Sequence, residues 1–176
     1  GCALDAYYTY FKKERKINDN SISNQEASQF GPLWNNQEIK SFLETEKIKF
    51  EYYENINERN KYIALRLNKG DAVGFFNGRG EFGPRALGSR SILMNPQPRK
   101  NKDIVNSRIK HREEWRPFAG IMLEEYQEDY FIEDYPNEYM LYSLVVRPHQ
   151  RKNIGAITHQ DGTCRIQTVN DKLHPE

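Results

Sequence analysis

Cysteine is almost absent from this chain of 176 residues, with only Cys2 and Cys164 present. Two thiols cannot by themselves build a disulfide framework or a four-ligand zinc site. The four histidines, His111, His149, His159 and His174, show no H-E-x-x-H spacing, so a zinc-protease helix is excluded. No metal site is expected within the chain. No apolar run is long enough to cross a bilayer and no signal-peptide core is visible, so the expected location is the cytoplasm. The phosphate-loop pattern G-x-x-x-x-G-K-[ST] is missing, which removes the ordinary phosphate-loop ATPases. Internal repeats and low-complexity tracts are missing too. Nor is charge of one sign in excess: a formal +1 and a pI of about 7.9 fall below what a nucleic-acid domain usually carries.

The polar character, with 29% charged and 37% hydrophobic residues, comes with 12% aromatics, which argues for a folded chain. The length suits one domain with a modest core, with an appended piece of another. Residues 70–119 organise it. An apolar strand, 71–76, runs into a turn rich in glycine and arginine, 78–90, and a polar connection leads on to the basic segment 110–119. Residues 79–116 hold ten Lys/Arg against four Asp/Glu, a local surplus of six that the near-neutral total hides. Glycines let backbone N–H groups approach a ligand, and arginines present planar forks to oxyanions. A phosphate or carboxylate site is the expectation, against the plainer reading of a solvated basic face.

Gly78-x-Gly80-x-x-Gly83 matches a dinucleotide fingerprint literally. Gly88 interrupts the helix that should follow, and Asp103 comes after a basic loop rather than a second strand, so a Rossmann domain is not expected.

Along the chain, residues 1–16 have helical spacing and 18–29 read as an Asn- and Ser-rich linker. The turn Phe30-Gly31-Pro32-Leu33-Trp34 leads to an amphipathic helix over 35–46 with Ile39, Phe42 and Leu43 on one face. An edge strand is expected at 50–53 and a helix at 57–68 burying Ile63, Leu65 and Leu67, closed by Lys69-Gly70. Further on, strands are expected at 71–76, 91–94, 118–123, 139–146 and 154–158. Helical spacing covers 103–110, and Tyr126, Tyr130 and Phe131 anchor the acidic run 124–138. Asp161-Gly162 turns the chain into 163–169, which alternates with period two. The fold class is α/β or α+β with a mixed sheet.

Glu81-Phe82-Gly83-Pro84-Arg85-Ala86-Leu87-Gly88-Ser89-Arg90-Ser91-Ile92-Leu93 resembles the signature of the O-carbamoyltransferases, the family of the nodulation-factor, tobramycin and cephamycin carbamoyltransferases. The resemblance continues through 110–119 (Lys-His-Arg-Glu-Glu-Trp-Arg-Pro-Phe-Ala) and 157–169 (Ile-Thr-His-Gln-Asp-Gly-Thr-Cys-Arg-Ile-Gln-Thr-Val). It departs at Gly120, where the family usually has Pro, and at Gly80, where Met is common.

The resemblance implies a YrdC-like domain, a twisted mixed sheet flanked by helices, at 30–176, with 1–29 as the last helix of a preceding Kae1-like domain plus linker. Lys110-x-Arg112 followed by Arg116-Pro117 is also similar to the Lys-x-Arg…Lys-Pro element of YrdC proteins. In the family this domain makes carbamoyl adenylate from carbamoyl phosphate and ATP. The N-terminal domain, with bound iron, passes the carbamoyl group to a hydroxyl. The implied partners are carbamoyl phosphate, ATP with Mg²⁺, and the chain's own Kae1-like domain, with iron expected only there. The family's Asn-Thr-Ser-Phe-Asn motif does not follow His174-Pro175-Glu176, so a C-terminal truncation is expected and catalysis by these residues alone is not.

By the same resemblance, Arg85, Lys110, Arg116 and Arg165 surround carbamoyl phosphate, with Lys110 and Arg116 as the catalytic pair. Arg90, Arg112 and His159 are implied as phosphate or nucleotide contacts. Plainer roles stand beside these: a salt bridge from Arg90 to Glu81, an exposed strand position for Arg165, and a hairpin hydrogen bond for His159. His111 reads as merely exposed, and Trp115 and Phe118 read as core rather than adenine stackers. Glu113 and Glu114 either hold the basic residues or recruit Mg²⁺. The competing function is a YrdC-like module that binds phosphate or an RNA backbone without catalysis. RNA is not the expected partner, because the arginines concentrate in three short motifs rather than spreading over a face.

Overall fold

The computed structural model describes residues 1–14 and 28–171. In chain order these form α1 (Cys2–Asp5) with a π-helical continuation (Ala6–Tyr10), α2 (Asn36–Thr45), α3 (Ile56–Asn68), β1 (Val73–Phe76) and β2 (Arg90–Leu93). Then follow α4 (Lys100–Ile104) with a π-helical continuation (Val105–Lys110), β3 (Gly120–Leu123), α5 (Gln127–Tyr130), β4 (Ser143–Val145) and β5 (Thr163–Val169). The fold is α+β with two open sheets. One is the antiparallel pair β1–β2, and the other has the order β3-β5-β4, with β3 parallel and β4 antiparallel to β5.

The core is built on one face of β5. Its period-two alternation turns Cys164 and Ile166 inward against Phe131, Leu144, Val146 and Ile154. Each fully buried Phe, Leu or Ile contributes about 1.5–3 kcal/mol over exposure. The strand is entered through Gly162, at φ +81°, and the Asp161 carboxylate accepts the N–H and the hydroxyl of Thr163 at 2.9 and 2.8 Å. That Asx turn fixes where the strand starts.

Helix starts follow capping chemistry. Asn35 accepts the Glu38 N–H while Glu38 accepts the Asn35 N–H, a reciprocal capping box that begins α2 one residue later than the spacing predicts. Asn55 caps α3, and Gly70 at φ +93° follows its end. Gly31 and Gly80 approach backbone to backbone: a Cβ on Gly31 would stand 2.7 Å from the Gly80 carbonyl oxygen.

Several expectations are corrected. No strand forms at 50–53, where no neighbouring strand is available; Tyr53 stacks on Tyr62 and donates to Glu51 instead. Residues 154–158 turn rather than extend, because the N–H groups of Ile157 and Thr158 both donate to the Ile154 carbonyl. Ile63 and Leu67 are half-buried but Leu65 is exposed, since α3 lies against one hairpin and not within a core. β1 is covered on one face only, leaving Phe76 61% exposed, and the strand expected over 139–146 is confined to β4. Trp115 is 73% exposed rather than core, because its turn projects ahead of β3. The helical reading of 1–16 holds through Tyr10, whereas Arg15 and Lys16 and most of the linker at 18–29 lie outside the described residues. No helix among the described residues is long and apolar enough to cross a membrane.

Candidate anion-binding site

Arg165 and Gln167 occupy the face of β5 opposite Cys164 and Ile166, and the glycine- and arginine-rich loop lies on that face. Gln167 is 1% exposed, and its Nε2 donates to the Leu87 carbonyl at 2.9 Å. One carboxylate oxygen gives the loop its shape: Glu81 Oε1 accepts the N–H groups of Leu87, Ser89 and Arg90 at 2.7, 2.7 and 3.2 Å. Burial pushes the Glu81 carboxyl pKa up, but these backbone hydrogen bonds outweigh it and hold the group below its usual range. The glycines at 83 and 88, with φ of +136° and +104°, bracket the segment that carries Arg85 and Leu87.

Arg85, exposed on this loop, is electrostatically coupled to Arg165. Burial lowers the Arg165 pKa, and the nearby Arg85 charge lowers it further. Neither arginine has an acidic ion-pair partner among the described residues. The Arg165 Nε–H is buried without a hydrogen-bond partner. A half-buried guanidinium coupled to a second one, with no acidic ion-pair partner among the described residues, can attract an anion.

His159 is electrostatically coupled to Arg165. The Thr163 hydroxyl donates to Asp161, so it accepts from His159 Nδ1, 3.0 Å away. That assigns the proton to Nδ1 and leaves Nε2, buried and unpartnered, as an acceptor. Burial lowers the imidazole pKa, against the opposing pull of Asp161. The hairpin hydrogen bond weighed for this residue is therefore made through Nδ1. An open pocket of about 350 Å³ beside it is lined by His159, Arg99, Arg151 and Lys152. The sequence motifs do not single out these three cations, although Arg99 lies within the basic, Pro-punctuated loop 95–102 that precedes Asp103.

Arg90 and Arg112 hold backbone. Arg90 Nη1 donates to the carbonyls of Asn77, Gly78 and Ser89, and its guanidinium lies 3.4 Å from the Phe76 ring centroid. It does not pair with Glu81, whose Oε1 is taken by backbone amides. Arg112 donates to Asn106 Oδ1 at 2.7 Å and to the Pro117 carbonyl at 3.3 Å, stacked over Phe118. Asn106, 0% exposed, also donates to the carbonyls of Glu114 and Arg116 and so pins the whole basic turn. Asn106 went unnoticed in the sequence, where a polar residue inside a helical run looks like surface.

Lys110 is exposed at the end of the π-helical stretch, followed by His111 at φ +47°. Arg116 pairs with Glu113 at 3.0 Å and lies over Trp115. Arg85 and His159 thus share an electrostatic neighbourhood with Arg165, whereas Lys110 at the end of the π-helical stretch and Arg116 on the turn ahead of β3 are not coupled to it. Cys164 is no nucleophile: burial pushes its thiol pKa up to about 12. Among the described residues no group of three or more His, Cys, Asp or Glu could hold a metal ion.

Comparison with known proteins agrees with the motifs. The carbamoyltransferase C-terminus family model matches residues 64–176, a span containing every residue discussed in this site. An uncharacterised protein of Synechocystis is 36% identical over 197 aligned positions, covering 99% of this chain and 32% of its own length. Nodulation protein NolO of Bradyrhizobium diazoefficiens is 48% identical over 112 residues, 62% of this chain and 20% of the relative. The 3'-hydroxymethylcephem-O-carbamoyltransferase of Amycolatopsis lactamdurans is 41% identical over 114 residues, 65% of this chain and 21% of that enzyme. The chain spans about a third or less of these relatives. The chain belongs to the carbamoyltransferase C-terminus family.

Proposed function

We propose that this domain binds carbamoyl phosphate and ATP and forms carbamoyl adenylate, the donor for transfer to a hydroxyl carried by another substrate. The observation that carries this reading is the electrostatically coupled Arg85–Arg165 pair, without an acidic ion-pair partner among the described residues. Water releases phosphate from carbamoyl phosphate to leave carbamate. A carbamate oxygen then attacks the α-phosphorus of ATP, and the bond to pyrophosphate breaks. Both steps gather negative charge on phosphoryl oxygens, which fixed guanidinium groups stabilise without reorganising.

Arg85 and Arg165 hold the carbamoyl phosphate. Lys110 and Arg116, both exposed and outside this pair, supply further cations from the segment ahead of β3. The Glu113–Arg116 pair is exposed and worth only about 0–1 kcal/mol, so an incoming dianion can recruit Arg116 at little cost. The nucleotide lies toward His159, where Arg99, Arg151 and Lys152 offer charge for its phosphates, and Arg90 and Arg112 keep the flanking loops in shape. Mg²⁺ enters as the companion of ATP, held by the nucleotide's own phosphates.

Calorimetry with carbamoyl phosphate tests the reading. Arg165→Met should weaken binding by about tenfold to a hundredfold, the cost of losing a charged hydrogen bond. Unchanged affinity would reject the site.

A further inference from the structure

Asn106 is 0% exposed in the π-helical stretch Val105–Lys110, and both polar ends of its side chain are used. Nδ2 donates to the carbonyls of Glu114 and Arg116 at 3.3 and 3.0 Å, and Oδ1 accepts from Arg112 Nε at 2.7 Å. Its backbone carbonyl accepts the Arg112 N–H at 3.1 Å. These bonds fix the amide, because a flipped one would set oxygen against two carbonyls and nitrogen against a guanidinium donor. The chain returns past Asn106 because His111 reverses it at φ +47°, a left-handed conformation uncommon for a residue with a Cβ. Residues 106–116 thus form a loop tied at its neck by one buried amide.

No residue from 110 to 116 is buried, so this loop is shaped by Asn106 and not by packing. Arg112 is spent on the closure: besides Asn106 it reaches the Pro117 carbonyl at 3.3 Å and lies 4.6 Å from the Phe118 ring centroid. Arg116 is different. Its backbone carbonyl is held by Nδ2, while its guanidinium is exposed and pairs with the exposed Glu113. A fully satisfied buried polar network specifies one arrangement of the backbone it joins, and here that backbone presents a cation.

We infer that Asn106 is a positioning residue for Arg116. The inference rests on the proposed binding of carbamoyl phosphate, to which Arg116 supplies a further cation. Asn106 touches no ligand. It acts through the Arg116 backbone, and without it the turn samples other conformations. The affinity that Arg116 supplies then falls with the fraction of time the turn spends in the competent one.

The test is a double-mutant cycle read by calorimetry of the 176-residue chain with carbamoyl phosphate. Arg116→Met should weaken binding by about tenfold, the loss of one charged contact. Asn106→Ala, which adds no charge near the anion, should weaken it by about fivefold or more. In the Arg116→Met background Asn106→Ala should cost no more than about twofold, because the side chain it positions is gone. A role confined to stability would lower the melting temperature and leave the two losses uncoupled. Additive losses would therefore overturn the inference, as would wild-type affinity in Asn106→Ala. Unchanged affinity in Arg116→Met would overturn it without any Asn106 variant, and would leave the Arg85–Arg165 pair standing. Failure of the wild type to bind carbamoyl phosphate would sink the proposed function and the inference with it. Asn106→Ser, which keeps a short donor, repeats the cycle if the alanine variant does not fold.

Discussion

Between residues 94 and 171 the chain buries Phe131, Leu144, Val146, Ile154, Cys164 and Ile166 in one cluster around β5, and Val105 and Ala156 besides. Between 28 and 93 the only buried side chains among the described residues are Leu87 and Ser89. Both of these sit in the loop whose amides Glu81 collects and whose carbonyl Gln167 holds. Elsewhere in that first part, Phe42, Leu65, Phe76 and Phe82 are 59%, 52%, 61% and 79% exposed. One region is thus held by packing, the other by caps, turns and hydrogen bonds. The candidate anion site draws on both, with Arg165 on the packed strand and Arg85 on the hydrogen-bonded loop.

The contrast breaks most visibly under core truncation. Ile166→Ala, at 1% exposure, should lower unfolding stability by about 2–5 kcal/mol, whereas Leu65→Ala, on the exposed face of α3, should change it by less than about 0.5 kcal/mol. Chemical denaturation of the two variants measures this, and similar losses would mean that the first region has a core of its own.

A smaller effect should follow from Glu81→Ala. Removing the acceptor shared by three backbone amides should speed hydrogen exchange at Leu87, Ser89 and Arg90 while leaving β5 protected. The same loop should loosen in acid. The folded pKa of Glu81 lies below its unfolded value, so its contribution is full above the usual carboxylate range near pH 4.5 and is lost as pH falls through the folded value. Exchange at these amides that is insensitive to both changes would show that packing, not Glu81, holds the loop.

The sequence showed the parts of this molecule whose chemistry is local. The Asp161-Gly162 turn, the period-two alternation of 163–169 and the end of α3 at Lys69-Gly70 were legible because each depends on neighbours within a few residues. The strands expected at 50–53 and 154–158 failed because apolar content cannot tell an extended segment from one that coils back onto its own carbonyls, as Ile154 receives Ile157 and Thr158. In the site, Arg85, Arg165 and His159 could be named from motifs. Gln167, Asn106 and Glu81 could not be given their roles, since each bonds to backbone that is brought close only by folding: Leu87 is eighty positions from Gln167.

The central claim is that Arg85 and Arg165 are held together for an anion and not for the fold. Thermal melting of the wild type and Arg85→Gln, with and without inorganic phosphate, tests it most directly. Without phosphate the variant should melt no lower than the wild type, because removing one of two like charges costs no contact that the fold uses. Phosphate at a hundred times its dissociation constant should stabilise the wild type by about 2.7 kcal/mol, and the variant by clearly less at the same concentration. A variant that melts lower without phosphate, or that gains as much from phosphate as the wild type, would contradict the account.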